Sequence, residues 1–225
     1  MTASSGPALS VIVPCYNEKP NVAPMVQALA ACLTDIDWEV IFVDDDSPDG
    51  TAEEARRLAR DDSRVRCLRR IGRRGLSSAV IEGGLASSAD VIAVIDGDLQ
   101  HDESRLPAML DALKNGADLA VGSRHVGDGD ASGLASPMRQ KLSAAGIRLA
   151  RTLARVPVTD PMSGFFMLRR DLFERLAHRL TGQGFKILLD LLLAAPEPLN
   201  VVEIPYRFRK RVAGESKLDI LVLFQ

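Results

Sequence analysis

The sequence predicts an α/β fold: a mostly parallel sheet with helices on both faces. Three observations carry that expectation. Short apolar, β-branched runs alternate with apolar patterns of helical period along the chain. The runs are continuous rather than alternating, as strands buried on both faces require. Clusters of Asp, Asn, Gly and Pro follow one strand after another, at the edge where such sheets bind ligands.

Taken in order, Leu9–Val13 reads as a strand ending at Pro14. Asn21–Leu33 reads as a helix, with Val22, Met25, Val26, Leu29 and Leu33 at helical spacing. Glu39–Val43 is a second buried strand. Thr51 opens a helix through Arg60, with Glu54 three residues on completing a capping box. Val65–Leu68 is a third strand and Leu76–Ala86 a short helix. Val91–Ile95 is the fourth strand, followed by a helix near Ser104–Leu113 and a strand at Asp118–Val121. Val126–Ser136, rich in Gly, Asp and Ser, reads as a mobile loop. Phe185–Leu193 is a core helix, because Asp190 and then Pro196 and Pro198 prevent a span.

The chain has 225 residues, which suits one large domain. We expect a flexible 1–8 and a single domain over 9–219. Residues 220–225 read as a truncated juxtamembrane segment or the scar of a cleaved tag, which V-L-F-Q resembles. A net charge of -2 supplies no field for nucleic acid. The three cysteines are scattered, and Cys32 and Cys67 read as core thiols. His101, His125 and His178 are equally dispersed, so no zinc site is expected. No charged-then-apolar leader is visible, and no apolar run reaches ~18 residues. The nine Arg between Arg56 and Arg74 read as solvated helix and loop faces.

Chemistry gathers at the strand ends. Asp96 and Asp98 flank Gly97 where the fourth strand stops, and Gly97 lets another group approach the backbone. Two hard oxygen ligands at that spacing, with a carbonyl oxygen from Gln100, suit Mg²⁺ or Mn²⁺. An Asp-x-Asp is also what an acidic turn looks like. Three other clusters share the predicted edge: Pro14–Glu18, Val43–Thr51 and Gly122–Arg124.

The strings P-x-Y-N-E, V-D-D-x-S-P-D-G-T, D-x-D-L-Q, G-S-R, D-P-M-S-G-F and R-V-x-G-E-S-K together resemble the inverting family 2 glycosyltransferases. Within that family they are similar to the dolichol-phosphate (polyprenol-phosphate) mannose synthase branch, over roughly residues 9 to 219. The resemblance implies a glycosyltransferase A-type, Rossmann-like fold, a divalent metal, and transfer of a hexose to a polyprenyl phosphate. GDP-mannose is the favoured donor, and UDP-glucose or another sugar nucleotide is the alternative. A non-catalytic sugar-nucleotide-binding domain is the alternative of another class.

By the same resemblance, Pro14, Tyr16, Glu18, Val43 and Asp45 hold the nucleoside. Asp96, Gly97 and Asp98 meet the donor, and Asp96, Asp98 and Gln100 gather the metal. Asp96, Asp98, Arg124, Arg211 and Lys217 carry the catalytic charge, with Arg124, Arg211 and Lys217 on phosphates. Arg139, Asp160, Ser163, Gly164, Phe165 and Ser216 line the acceptor site, with Phe165 and Phe166 towards the lipid. Asp44 stays open between a structural and a binding role, since adjacent strand residues face opposite sides. A basic helical pattern at Arg139, Lys141, Arg148, Arg151 and Arg155 lies on a membrane surface or packs on the sheet. The expected location is the cytoplasmic face of a membrane.

Overall fold

A computed structural model describes residues 6–127 and 158–209. The strands are β1 (Leu9–Cys15), β2 (Trp38–Asp44), β3 (Val65–Arg69), β4 (Val91–Val94), β5 (Leu119–Ser123), β6 (Phe166–Arg169) and β7 (Val201–Pro205). The helices are α1 (Lys19–Cys32), α2 (Thr51–Leu58), α3 (Leu76–Ala86), α4 (Leu106–Lys114), α5 (Arg170–Ala177) and α6 (Ile187–Ala194). The seven strands form one sheet in the order β3-β2-β1-β4-β6-β5-β7.

The predicted α/β alternation is therefore present through β5. β1 and β2 pair in parallel over seven positions, and both are buried along nearly their whole length, as continuous apolar runs demand. The sheet separates two apolar cores. One holds Val11, Val13, Phe42 and Phe165 beside α1 and α4, and the other holds Ile12, Val43, Phe166 and Phe173 beside α3, α5 and α6. Cys32 and Cys67 sit against the first, and burial pushes each thiol up to about 11, in keeping with inert core thiols. Helix α6 covers the predicted core segment and buries Ile187, Leu188, Leu191 and Leu192.

One strand breaks the parallel rule. β6 runs antiparallel between β4 and β5, with Phe166 level with both Val94 and Val121. The residues before β6, not those after it, thus reach the edge where β1, β2, β4 and β5 end.

The capping box at Thr51 does not form. Asp49 takes its place: Oδ1 accepts the Thr51 N–H at 3.0 Å and the Thr51 hydroxyl at 2.6 Å. Glu54 turns instead to Arg57 across one helical turn. Helix α3 packs so closely on the sheet that a Cβ at Gly83 would lie 2.7 Å from Val43 Cγ2. Gly83→Ala is expected to destabilise the fold by about 1–3 kcal/mol through overpacking, read as a lower urea midpoint at unchanged slope. An unchanged midpoint would show that α3 can lift off the sheet freely.

Candidate functional site

Four loops meet at the carboxyl edge of the sheet, and side chains of the second loop lace it to the first. Asn17 N–H donates to Ser47 Oγ at 2.9 Å, Glu18 N–H to Thr51 Oγ1 at 3.0 Å, and Lys19 N–H to Asp49 Oδ2 at 3.1 Å. Asp44 is fully buried and holds Ser47 through both the backbone N–H and the hydroxyl, which makes it structural. Most of the V-D-D-D-S-P-D-G-T string is therefore scaffold. Asn17, Asp46 and Leu99 are the non-glycine residues with positive φ among those described, one in each loop after β1, β2 and β4. Backbone strain is thus concentrated along this edge.

Asp45 is the member of the string that turns to the site floor. Its Oδ1 pairs with Arg70 Nη1 at 2.8 Å and its Oδ2 accepts the Gly75 N–H at 2.7 Å. Burial pushes its carboxyl up, while the Gly75 N–H and the Arg70 charge pull it down; the net direction is upward. Arg70 is 2% exposed and also reaches Ser78 and Glu82. It departs from the expected solvated arginine face, because its charge has four polar partners, Asp45, the Gly75 carbonyl, Ser78 and Glu82. Arg74 departs too, with its guanidinium 4.2 Å from the centre of the Tyr16 ring.

Glu18 is buried and accepts from Asn21 Nδ2 at 2.6 Å. The Val43 side chain is fully buried beside α3, so this position could meet a nucleoside through its backbone alone. Gly97 is packed closely too. The space its missing Cβ leaves is taken by Cys15 and the Pro14 carbonyl, so the close approach is made by the chain itself.

The loop after β4 holds the two aspartates. Asp98 Oδ1 accepts the Gln100 N–H at 3.1 Å, closing a local turn. Gln100 Nε2 donates to Arg209 O at 2.9 Å, which ties its amide to the segment beyond β7. Asp96 Oδ2 lies 3.0 Å from His101 Nε2, whereas Asp96 Oδ1 is buried without a hydrogen-bond partner. Among the described residues, no group of three or more His, Cys, Asp or Glu could hold a metal ion. A hard cation at the aspartates would draw the rest of its shell from amide, donor and water oxygens.

The described residues of the expected acceptor wall are held by contacts within the fold. Asp160 is fully buried and grips Arg124 with both oxygens, at 2.7 Å to Nε and 2.9 Å to Nη2. Burial alone would lower the basicity of Arg124; the Asp160 carboxylate overrides it and raises it. Ser163 donates to Gly122 O at 2.8 Å and accepts the Phe165 N–H at 3.2 Å. Phe165 and Phe166 are fully buried on opposite faces of the sheet, so neither faces a lipid. Gly164 packs against Asp96: a Cβ there would lie 2.7 Å from its Cγ and Oδ1. Arg139, Arg211, Ser216 and Lys217 lie outside the described residues, as do the basic helical pattern and most of Val126–Ser136.

The sequence reading left out His101, Arg70 and Tyr206. The first adjoins the Asp-x-Asp string directly, which was its one local signal.

Residues 10–177 match the family model for Glycosyl transferase family 2. The chain is 39% identical over 221 residues to the dolichol-phosphate mannosyltransferase of Pyrococcus furiosus, covering 96% of this chain and 61% of that protein's length. It is 38% identical over 225 residues to the dolichol-phosphate mannosyltransferase of Saccharomyces cerevisiae, covering 96% of this chain and 83% of that protein. Among solved structures, a mannosyltransferase from Pyrobaculum calidifontis in complex with GDP-Man and Mn²⁺ shares the fold. Its TM-score is 0.65 at 20% identity, over 93% of this chain and 58% of that one.

Proposed function

The chain belongs to glycosyl transferase family 2, and on that premise we propose that it transfers mannose from GDP-mannose to a polyprenyl phosphate with inversion. The observation that carries this reading is the identity of 38–39% to two named dolichol-phosphate mannosyltransferases, each over 96% of the chain. The site adds chemistry that fits. Tyr16, Glu18 and Asp45 line one end of the edge, and Asp96, Asp98 and Arg124 the other.

The buried, unpartnered Asp96 Oδ1 is what a cation at this site needs. Mg²⁺ or Mn²⁺ would be held by Asp96 and Asp98 with Gln100, and would supply positive charge against the departing diphosphate. Arg124, locked in one orientation by Asp160, offers its charge to the same phosphates.

A lipid phosphate monoester has a second pKa near 6, so at neutral pH it is already largely an anionic nucleophile. One of its oxygens bonds to the mannose anomeric carbon as the bond from that carbon to the GDP β-phosphate oxygen breaks. GDP departs with that electron pair, and a single displacement inverts the anomeric centre. The chain need supply no general base, and His101 has both ring nitrogens engaged. Its work is positioning and charge stabilisation. The acceptor places the reaction at a membrane surface. No helix among the described residues is long and apolar enough to cross a membrane.

The test is a transfer assay with radiolabelled GDP-mannose or UDP-glucose and a short-chain polyprenyl phosphate in detergent, with and without Mn²⁺. We expect mannose on the lipid, with the metal only, and none on the matching non-phosphorylated alcohol. Preferred use of UDP-glucose would establish the alternative donor. Nucleotide binding without any transfer would establish a binding domain.

Gly164→Ala tests the site geometry in the same assay. The new methyl must displace the Asp96 carboxylate, so transfer is expected to fall about 10²-fold, the scale of a 1 Å misplacement. The melting temperature should move little, because Asp96 can swing away. Full activity would mean that Asp96 does not need the position it holds here.

A further inference from the structure

Behind Asp96 lies a buried relay that the reaction as described leaves unused. His101 is 2% exposed, with Nε2 3.0 Å from Asp96 Oδ2 and Nδ1 2.7 Å from Tyr206 Oη. Phe165, Tyr206 and Phe208 surround its ring, with centroids at 5.6, 5.5 and 5.3 Å. An ionised carboxylate only accepts hydrogen bonds, so Nε2 carries the hydrogen that Asp96 receives. In the neutral ring Nδ1 is then the acceptor, and the Tyr206 hydroxyl donates to it. Burial pushes the Tyr206 phenol up, so it keeps that proton. The hydrogen bonds therefore run one way, from Tyr206 through His101 to Asp96.

The Asp96 side chain is 32% exposed, so packing alone does not fix it. Gly164 closes one flank, and the relay holds Oδ2 from behind. What remains is Oδ1, buried and without a partner. We propose that His101, oriented by Tyr206, is a positioning residue that pins Asp96 Oδ2 so that Oδ1 is presented to the divalent cation accompanying the donor diphosphate. The inference rests on the metal-dependent reading given above. Outer hydrogen-bond partners of metal ligands act in this way generally, and their loss typically weakens metal affinity 10–100-fold.

The test measures Mn²⁺ binding by electron paramagnetic resonance of the free ion, in the presence of GDP, together with GDP affinity in the absence of metal. His101→Ala is expected to weaken Mn²⁺ binding roughly 10–100-fold and leave metal-free GDP affinity within about twofold. His101→Gln keeps an N–H donor at the reach of Nε2 and should recover most of the loss. Tyr206→Phe, which removes one oxygen, should fall between wild type and His101→Ala.

Unchanged Mn²⁺ affinity in His101→Ala, or a folded His101→Gln as impaired as His101→Ala, would overturn the proposal. If His101→Ala does not fold, Tyr206→Phe decides, and wild-type Mn²⁺ affinity there overturns it. A wild-type protein that binds no Mn²⁺ with GDP would instead defeat the metal reading, and the proposal with it.

Discussion

Asp98→Asn is expected to reduce mannosyl transfer about 10³-fold and to abolish the metal dependence of GDP binding. Asparagine is the informative replacement, because the Asp98 oxygen that accepts the Gln100 N–H survives as an amide oxygen. The turn keeps its hydrogen bond and only the charge is lost. Alanine would remove both and mix a local unfolding into the result. The melting temperature of Asp98→Asn should therefore stay within about 2 °C of wild type, on the scale of a few tenths of a kcal/mol for a chain of this size. Calorimetric titration of GDP with and without Mn²⁺ checks the binding half of the claim. If Mn²⁺ still tightened GDP binding as much as in wild type, Asp98 would not be a metal ligand.

The second large effect concerns stability. Asp160→Ala leaves the Arg124 guanidinium buried without its counter-charge, and breaking a buried pair from one side costs about 3–5 kcal/mol. For a chain of this length that corresponds to a melting temperature roughly 6–20 °C lower. Arg124→Met combined with Asp160→Leu removes both charges and replaces them with apolar volume, so most of the stability should return. Activity should not return, since the cation proposed to meet the donor phosphates is gone. Stability and activity thus separate in the double variant, as they would not if the pair were merely structural. A double variant as unstable as Asp160→Ala would show that lost packing, rather than unpaired charge, was responsible.

The first five strands were legible because each is a short, mainly apolar run set between helical patterns and turn residues, and tertiary contacts did not need to overrule local pattern. β6 was hidden for a physical reason. Its four residues follow the D-P-M-S-G-F string without a break, and nothing local tells a buried antiparallel strand from an exposed apolar loop. Phe165 and Phe166 accordingly looked like lipid contacts when they are core. The edge strand β7 is only partly buried along its length, and Pro205 ends it, which weakens any apolar run.

The site divides along the same line. Carboxylates at strand ends are visible because the fold class fixes where strand ends go. Their partners are not, since Tyr206 and His101 stand 105 positions apart and meet only in three dimensions. Arg70 was lost among eight similar neighbours, and only its burial distinguishes it. At Thr51 a valid local pattern gave way to a competitor two residues earlier, Asp49, that was equally able to hold the helix start.

The antiparallel β6 also has a consequence for the order in which the chain can fold. β1 to β4 pair with one another using only residues before Ile95. β5 cannot join them directly, because its place beside β4 is taken by a strand that begins only at Phe166. The sheet is therefore completed only when β6 pairs on both sides, and the loop-closure entropy of those non-local pairings must be met before they contribute any stability. Asp160 and Gly164 arrive with that closing strand. Refolding followed by tryptophan fluorescence at Trp38, in β2, should accordingly run ahead of recovery of mannosyl transfer, because Asp160 and Gly164, which hold Arg124 and flank Asp96, are placed only when that strand pairs.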